Sequence, residues 1–137
     1  MNEQPTIRAD ALPMAVLAYV GDAVFELFVR EMLAVSGSYH TARALHRRAT
    51  ALVCAPAQAR MAQALKDDLT QEEKDILRRG RNIHGGHVPA GAGVAEYRLA
   101  TGFESLVGFL HLSGRTDRLR TLLARAVQAV MEGEDEG

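Results

Sequence analysis

The stretch LAYVGDAVFE (residues 17–26) sets a glycine and an aspartate side by side inside an otherwise apolar run. Leu12, Val16, Tyr19, Ala23 and Leu27 recur in steps of three and four. That spacing predicts a helix from about Pro13 to Leu33, with proline suited to its first turn. Gly21 lowers helix stability by ~1 kcal/mol relative to alanine. Asp22 is a charge that a buried face resists unless something pairs with it. On the helix its face also carries Ala15, Ala18, Glu26 and Val29. Small residues one turn before the carboxylate leave space beside it, and the missing side chain of Gly21 lets another chain approach closely. Two readings follow: a metal-ligating carboxylate on a rigid helix, or an ordinary carboxylate at the edge of a solvated face.

TGFESLVGFLHL (residues 101–112) repeats the pattern. Phe103, Leu106, Val107 and Leu110 mark an apolar helix, Glu104 is its acid, and Gly108 lies one turn on. If the two helices cross at their glycines, Asp22 and Glu104 meet. Carboxylates that close repel unless a cation sits between them. Oxygen-only donors suit Mg2+, which keeps several waters and takes one or two protein carboxylates together with substrate phosphate. Such a site activates water and stabilises a leaving oxygen in phosphodiester hydrolysis.

The rest of the chain reads as helices punctuated by turns. Ser36-Gly37-Ser38 ends the first one. A second runs from Thr41, its N-cap, to Val53. Pro56 restarts the chain as a third over 56–66. Thr70-x-x-Glu73 is a capping box that opens a fourth, to about Arg79. RRGRNIHGGHVPAGAG (residues 78–93) reads as a flexible basic loop, with five glycines, three arginines and two histidines. A fifth helix spans Val94 to Leu112 and stops at Ser113-Gly114. A sixth spans Thr116 to Met131. Tyr19, Phe25, Phe28, Phe103 and Phe109 read as core. The predicted organisation is a loose N-terminus (1–10), one all-α domain (11–131) and an acidic tail (132–137).

Composition sets bounds on function. With 47% hydrophobic residues and sparse β-branched ones, the chain of 137 residues builds a helical core. Its longest charge-free stretches fall far short of a membrane span. No signal peptide is evident, and the single Cys54 points to a reducing cytoplasm. Net charge is −1, yet residues 40–98 carry ten Lys/Arg against six Asp/Glu. A local basic surface therefore fits on a nearly neutral protein. Arginine forks bind phosphate. Asn82 and His84 can donate to phosphate or to the 2′-hydroxyls that distinguish RNA. Solvated charge accounts for the same residues equally well. The five histidines and Cys54 show no zinc spacing, and neither a nucleophile elbow nor a phosphate-binding glycine loop is present.

Several of these motifs carry a resemblance. LAYVGDAVFELFVR resembles the signature helix of the ribonuclease III fold, whose L-G-D-A-V segment provides a catalytic aspartate. TGFESLVGFLHLSG resembles that fold's second acidic motif, E-A-x-x-G. LHRRATALVCAPAQA and LTQEEKDILRRGRN are similar to the short bacterial form, Mini-ribonuclease III, which lacks an appended double-stranded-RNA-binding domain. The likeness runs in order through residues 12–125. It implies an all-α, homodimeric endoribonuclease domain that cuts double-stranded RNA with Mg2+. The family's typical task is maturing 23S ribosomal RNA precursor. Asp22 matches the catalytic, metal-binding aspartate and Glu104 the metal-binding glutamate. The longer enzymes have further acids where this chain has Ala15, Ala18 and Thr101, so the ligand set falls to two carboxylates. Glu26 matches no ligand position and reads as structural. The resemblance thus predicts cleavage to 5′-phosphate and 3′-hydroxyl ends. Arg43, Arg47 and Arg48 on the second helix, with Arg78, Arg79, Arg81, Asn82 and His84 in the loop, would bind RNA. Affinity would fall steeply with salt, and a ribosomal protein of the large subunit would help position the substrate. The alternatives are a non-catalytic helical dimer that binds RNA or ribosomal particles, and an interaction domain with no RNA partner.

Overall fold

Six helices account for most of the described chain, and every turn between them has a local cause. The structure, a computed structural model, describes residues 8–83 and 93–136. In order the helices are α1 (Met14–Ser36), α2 (Ala42–Val53), α3 (Ala55–Leu65), α4 (Gln71–Arg81), α5 (Val94–Leu112) and α6 (Thr116–Glu136), with no strand among the described residues. Gly37, at φ 73°, terminates α1 in the left-handed conformation that glycine adopts without strain. Thr41 caps α2 by accepting from the Ala44 amide at 3.1 Å. Pro56 sits in the first turn of α3, where its missing N–H costs nothing. The Thr70/Glu73 box opens α4 with reciprocal bonds of 3.2 and 2.9 Å.

Helix α5 is the axis of the fold. It packs against α1, α4, α3 and α6, and Gly102, Phe103 and Ser105–Leu110 are all buried. Phe103 meets Phe25 of α1 edge-to-face, ring centroids 5.1 Å apart. The contact with α1 is made by backbone. A methyl group added at Gly21 would collide with the Glu104 carbonyl, and one at Gly108 with the Leu17 carbonyl. A second crossing of the same kind joins α4 to α5. A methyl at Gly80 would strike Ser105, and one at Gly102 the Leu77 carbonyl. The Ser105 hydroxyl ties the layers together by donating to the Thr101 carbonyl within α5, 2.8 Å away, beside the Met14 carbonyl of α1 at 3.3 Å.

Four expectations change. Gly80 does not break α4, which runs through it to Arg81, because Gly80 is needed for close packing on α5. Arg78, Arg79 and Arg81 are therefore helical, not loop, residues. Likewise α6 runs through Gly133, so residues 132–136 extend the last helix. Glu134 is held there by a bidentate bond from Arg48, at 2.7 and 3.1 Å. The helical period of α1 was legible, but the stripe chosen for it is the exposed one. Val16, Tyr19 and Leu27 face outward, whereas Leu17, Gly21, Phe25, Val29 and Leu33 face the core. Tyr19 is 82% exposed rather than core. Finally, residues 1–7 lie outside the described residues, but Ala9–Ala11 form a 3-10 turn with Ala9 buried, so the packed domain starts before residue 11.

Glu73 is 2% exposed. Arg118 of α6 donates to both its carboxylate oxygens, at 2.8 and 3.0 Å, and also to the Asp68 carbonyl at 2.6 Å. The guanidinium holds the Glu73 carboxyl below its ordinary pKa. Removing one partner leaves a buried charge uncompensated, so Arg118→Ala is expected to cost about 3–5 kcal/mol in a urea unfolding titration. Replacing Arg115, whose bond to Glu72 is exposed, is expected to cost under about 1 kcal/mol.

Candidate active site

The crossing of α1 and α5 brings Asp22 and Glu104 to one cleft of about 370 Å³, floored by Ala15 and Ala18 of α1 and Thr101 of α5. These are the positions where the sequence offers small side chains in place of acids, and the space is the result. Arg81 and Ile83, from the end of α4, and Tyr97 and Arg98, from the start of α5, line the rest of it. Asp22 is exposed and Glu104 half-buried. Burial, together with the neighbouring Asp22 carboxylate, pushes the Glu104 carboxyl up to about 8.

Two hard oxygen donors that cannot both carry charge comfortably are the donor set a divalent cation resolves. Among the described residues no His or Cys lines this cleft, and no group of three or more His, Cys, Asp or Glu gathers. The residues thus fit an ion such as Mg2+, which retains most of its water. Glu26 stays outside the site, bonded to Arg30 one turn on, at 3.1 Å.

The six predicted arginines divide. Arg48 is engaged by Glu134, and Arg78 and Arg79 both pair with Asp75. Arg43, Arg47 and Arg81 pair with no carboxylate among the described residues. Arg43 and Arg47 line a shallow hollow on α2 with His46 and Thr50, separate from the acidic cleft. Arg81 lies in the cleft itself. Asn82 is the C-cap of α4, its amide donating to the Arg78 and Arg79 carbonyls at 3.1 and 3.2 Å. His84 falls outside the described residues. Sequence reading missed Arg98, Tyr97 and Tyr19 at the cleft. One signal was available for the first two, since residues 97, 98, 101 and 104 share a helix face with the acid.

The pH response of the cation-free protein follows from Glu104. Its carboxyl titrates near 8 when folded and near 4.5 in its ordinary state. A raised carboxyl pKa contributes stability that is complete below the ordinary value and is lost as pH rises through the folded one. In EDTA, unfolding free energy is expected to fall between about pH 5 and 8, at up to ~1.4 kcal/mol per pH unit. Urea midpoints across this range check it, with Glu104→Gln removing the slope.

Comparison with known proteins identifies the family. The Ribonuclease III domain family model matches residues 15–115. Mini-ribonuclease 3 of Symbiobacterium thermophilum is 46% identical over 123 residues, covering 90% of this chain and 94% of that protein. Mini-ribonuclease 3 of Enterococcus faecalis is 43% identical over 122 residues, 88% and 92% of the two chains. A crystal structure of a protein from Fusobacterium nucleatum superposes with a TM-score of 0.77 at 27% identity, covering 90% of this chain and 95% of that one. Matched by the family model over most of its length and by such relatives over nearly all of it, the chain belongs to the ribonuclease III domain family, among its Mini-ribonuclease 3 members.

Proposed function

We propose that this endoribonuclease cuts double-stranded RNA with Mg2+ held by Asp22 and Glu104, and that it acts as a homodimer. Its substrate is the 23S ribosomal RNA precursor, whose 5′ and 3′ ends it matures in the cytoplasm, with a ribosomal protein of the large subunit as an accessory partner. One observation carries the reading: two lone acids, 82 positions apart in sequence, share a cleft beside two arginines.

When bound, Mg2+ activates water and stabilises charge on the leaving oxygen. Asp22 and Glu104 bind the ion and fix its place relative to α1 and α5. Arg81 and Arg98 hold the phosphates flanking the scissile one, as arginine forks do. Water adds to phosphorus and the 3′ oxygen leaves, which yields 5′-phosphate and 3′-hydroxyl ends. Arg43 and Arg47 bind phosphates farther along the duplex, and affinity falls with salt as their counterions are released. Arg48, Arg78 and Arg79 already have carboxylate partners, so their share of RNA binding is smaller than the sequence suggests.

The dimer is supported by α1, which is apolar on two faces. Its core face packs on α5. Its other face leaves Val16, Tyr19 and Leu27 exposed, and Leu27, Phe28 and Val35 line an apolar groove of about 560 Å³ with Leu119 and Leu123 of α6. Monomers rarely leave such a surface to water. A two-fold pair supplies one cleft for each strand of a duplex. No helix among the described residues is long and apolar enough to cross a membrane.

A perfect RNA duplex incubated with the protein in Mg2+ or in EDTA tests the reading. Cuts on both strands that depend on the ion and leave 5′-phosphate ends support it. Binding without cuts would leave only a duplex-binding dimer.

A further inference from the structure

The 35 residues from Met32 to Lys66 contain no Asp or Glu, in a chain that has 17 of them. Helix α2 therefore has no acid of its own to pair with its three arginines. One of the three is satisfied from elsewhere: Arg48 reaches α6 and is engaged by Glu134. Arg43 and Arg47 are not, and with His46 they occupy positions i, i+3 and i+4, one exposed stripe of the helix. These three side chains line a shallow hollow with Thr50. The Thr50 hydroxyl donates to the His46 carbonyl, 2.9 Å away, so its proton is already committed. None of the three pairs with a carboxylate among the described residues. The stripe works against the helix that carries it. Like charges one turn apart destabilise a helix. Arg43 also adds a cation to a first turn that has no acid, where the helix dipole disfavours it. Elsewhere the chain supplies the acid within one turn, Glu26 for Arg30 on α1 and Asp75 for Arg78 on α4. On α2 only an anion from outside the chain offsets the cost.

The hollow lies within reach of a duplex held in the cleft. His46 also lines a groove with Arg30, Leu33 and Ala34 of α1. Leu33 follows Asp22 by eleven residues, three turns of helix. It therefore lies on the same side of α1, about 16 Å further along. That is on the order of five base pairs at ~3.4 Å each. We propose that Arg43, His46 and Arg47 form an exosite for the phosphate backbone of an RNA duplex, and that this second grip sets the length of duplex the enzyme binds well. This rests on the reading that the Asp22/Glu104 cleft holds an RNA duplex. The two guanidinium forks take phosphate oxygens in pairs, and the imidazole between them donates an N–H. Contacts to phosphate carry no sequence information, so the exosite selects by length and not by sequence. It touches no reacting atom, so it acts on KM and leaves kcat unchanged.

The test uses wild type, the double variant Arg43→Gln/Arg47→Gln, His46→Ala, and Arg115→Gln/Arg125→Gln, which loses the same charge outside the hollow. Each is titrated in EDTA against RNA hairpins whose stems run from shorter than that reach to several times longer. On long stems the Arg43/Arg47 variant is expected to bind about tenfold more weakly, with a slope of log affinity against log salt shallower by about 1 to 2. His46→Ala weakens the same binding by a smaller factor. On the shortest stems both bind like wild type. With Mg2+ and long stems KM rises in step and kcat is unchanged. Arg115→Gln/Arg125→Gln matches wild type at every length. A loss equal at all lengths, or one that Arg115→Gln/Arg125→Gln reproduces, overturns the exosite, since net charge then explains it. So does a fall in kcat at unchanged KM, or a variant that melts well below wild type, since the residues would then be catalytic or structural. His46→Ala with wild-type binding overturns the three-residue site. Wild type that binds long stems in this length-dependent way but cuts none of them sinks the cleavage reading and leaves the exosite standing. Wild type that binds no duplex removes both.

Discussion

Glu104→Gln is expected to leave a folded protein that no longer cuts duplex RNA. The substitution conserves shape and removes charge. In the cation-free state that is a relief, because burial and Asp22 already press this carboxyl toward its neutral form. The variant should therefore melt at or above the wild-type temperature in EDTA at pH 8. Cleavage is another matter. In the proposed site a neutral amide would replace one of two anionic ligands, and stabilisation of transition-state charge by a bound ion is worth several kcal/mol, or about a thousandfold or more in rate. Asp22→Asn is expected to lose activity as severely. Its carboxylate is the more exposed of the two, so its effect on stability is smaller. Single-turnover cleavage at saturating enzyme, set beside melting curves in EDTA and Mg2+, separates the two consequences. A Glu104→Gln variant that cuts within tenfold of wild type would remove that residue from the chemistry.

The second large effect belongs to glycine. Gly21→Val and Gly108→Val are each expected to cost more than about 4 kcal/mol and to yield little folded protein, because the added side chain has no flexible neighbour to displace. It meets main chain: the Glu104 carbonyl for Gly21 and the Leu17 carbonyl for Gly108. Even alanine should be strongly destabilising at both positions, although in an isolated helix it would help by ~1 kcal/mol. Gly37 and Gly114 provide the contrast. Each has a φ of 73° and open space around it. Alanine there carries only the modest strain of a left-handed backbone. Expression yield and urea midpoints for the four alanine variants rank the crossing glycines against the turn glycines.

Much of the helical layout was legible because it is written locally. Thr41, the Thr70/Glu73 box, Pro56, Gly37 and Ser113-Gly114 each mark an end within a few residues of the chain. The meeting of Asp22 and Glu104 was legible for a different reason: two apolar helices each held one acid beside one glycine, and glycines in apolar helices imply a close crossing. What failed involved partners distant in sequence. Arg79 and Met131 read as the ends of α4 and α6 because nothing nearby says that Gly102 and Ser105 pack on Gly80, or that Arg48 anchors the last turns at Glu134. Tyr19 read as core because hydrophobic periodicity cannot say which of two apolar faces a helix buries first. The partners of Arg118 lie on other helices, and no spacing rule reaches them.

The two glycine crossings of α5 have an engineering consequence. Where helices meet by interlocking side chains, their separation drifts as residues are exchanged or as the interior loosens on heating. Here it is set by the thickness of abutting peptide groups, a ruler that neither substitution elsewhere nor moderate warming changes. A programme to raise heat tolerance can therefore repack the contact between α3 and α6 without altering the gap in which the acids sit.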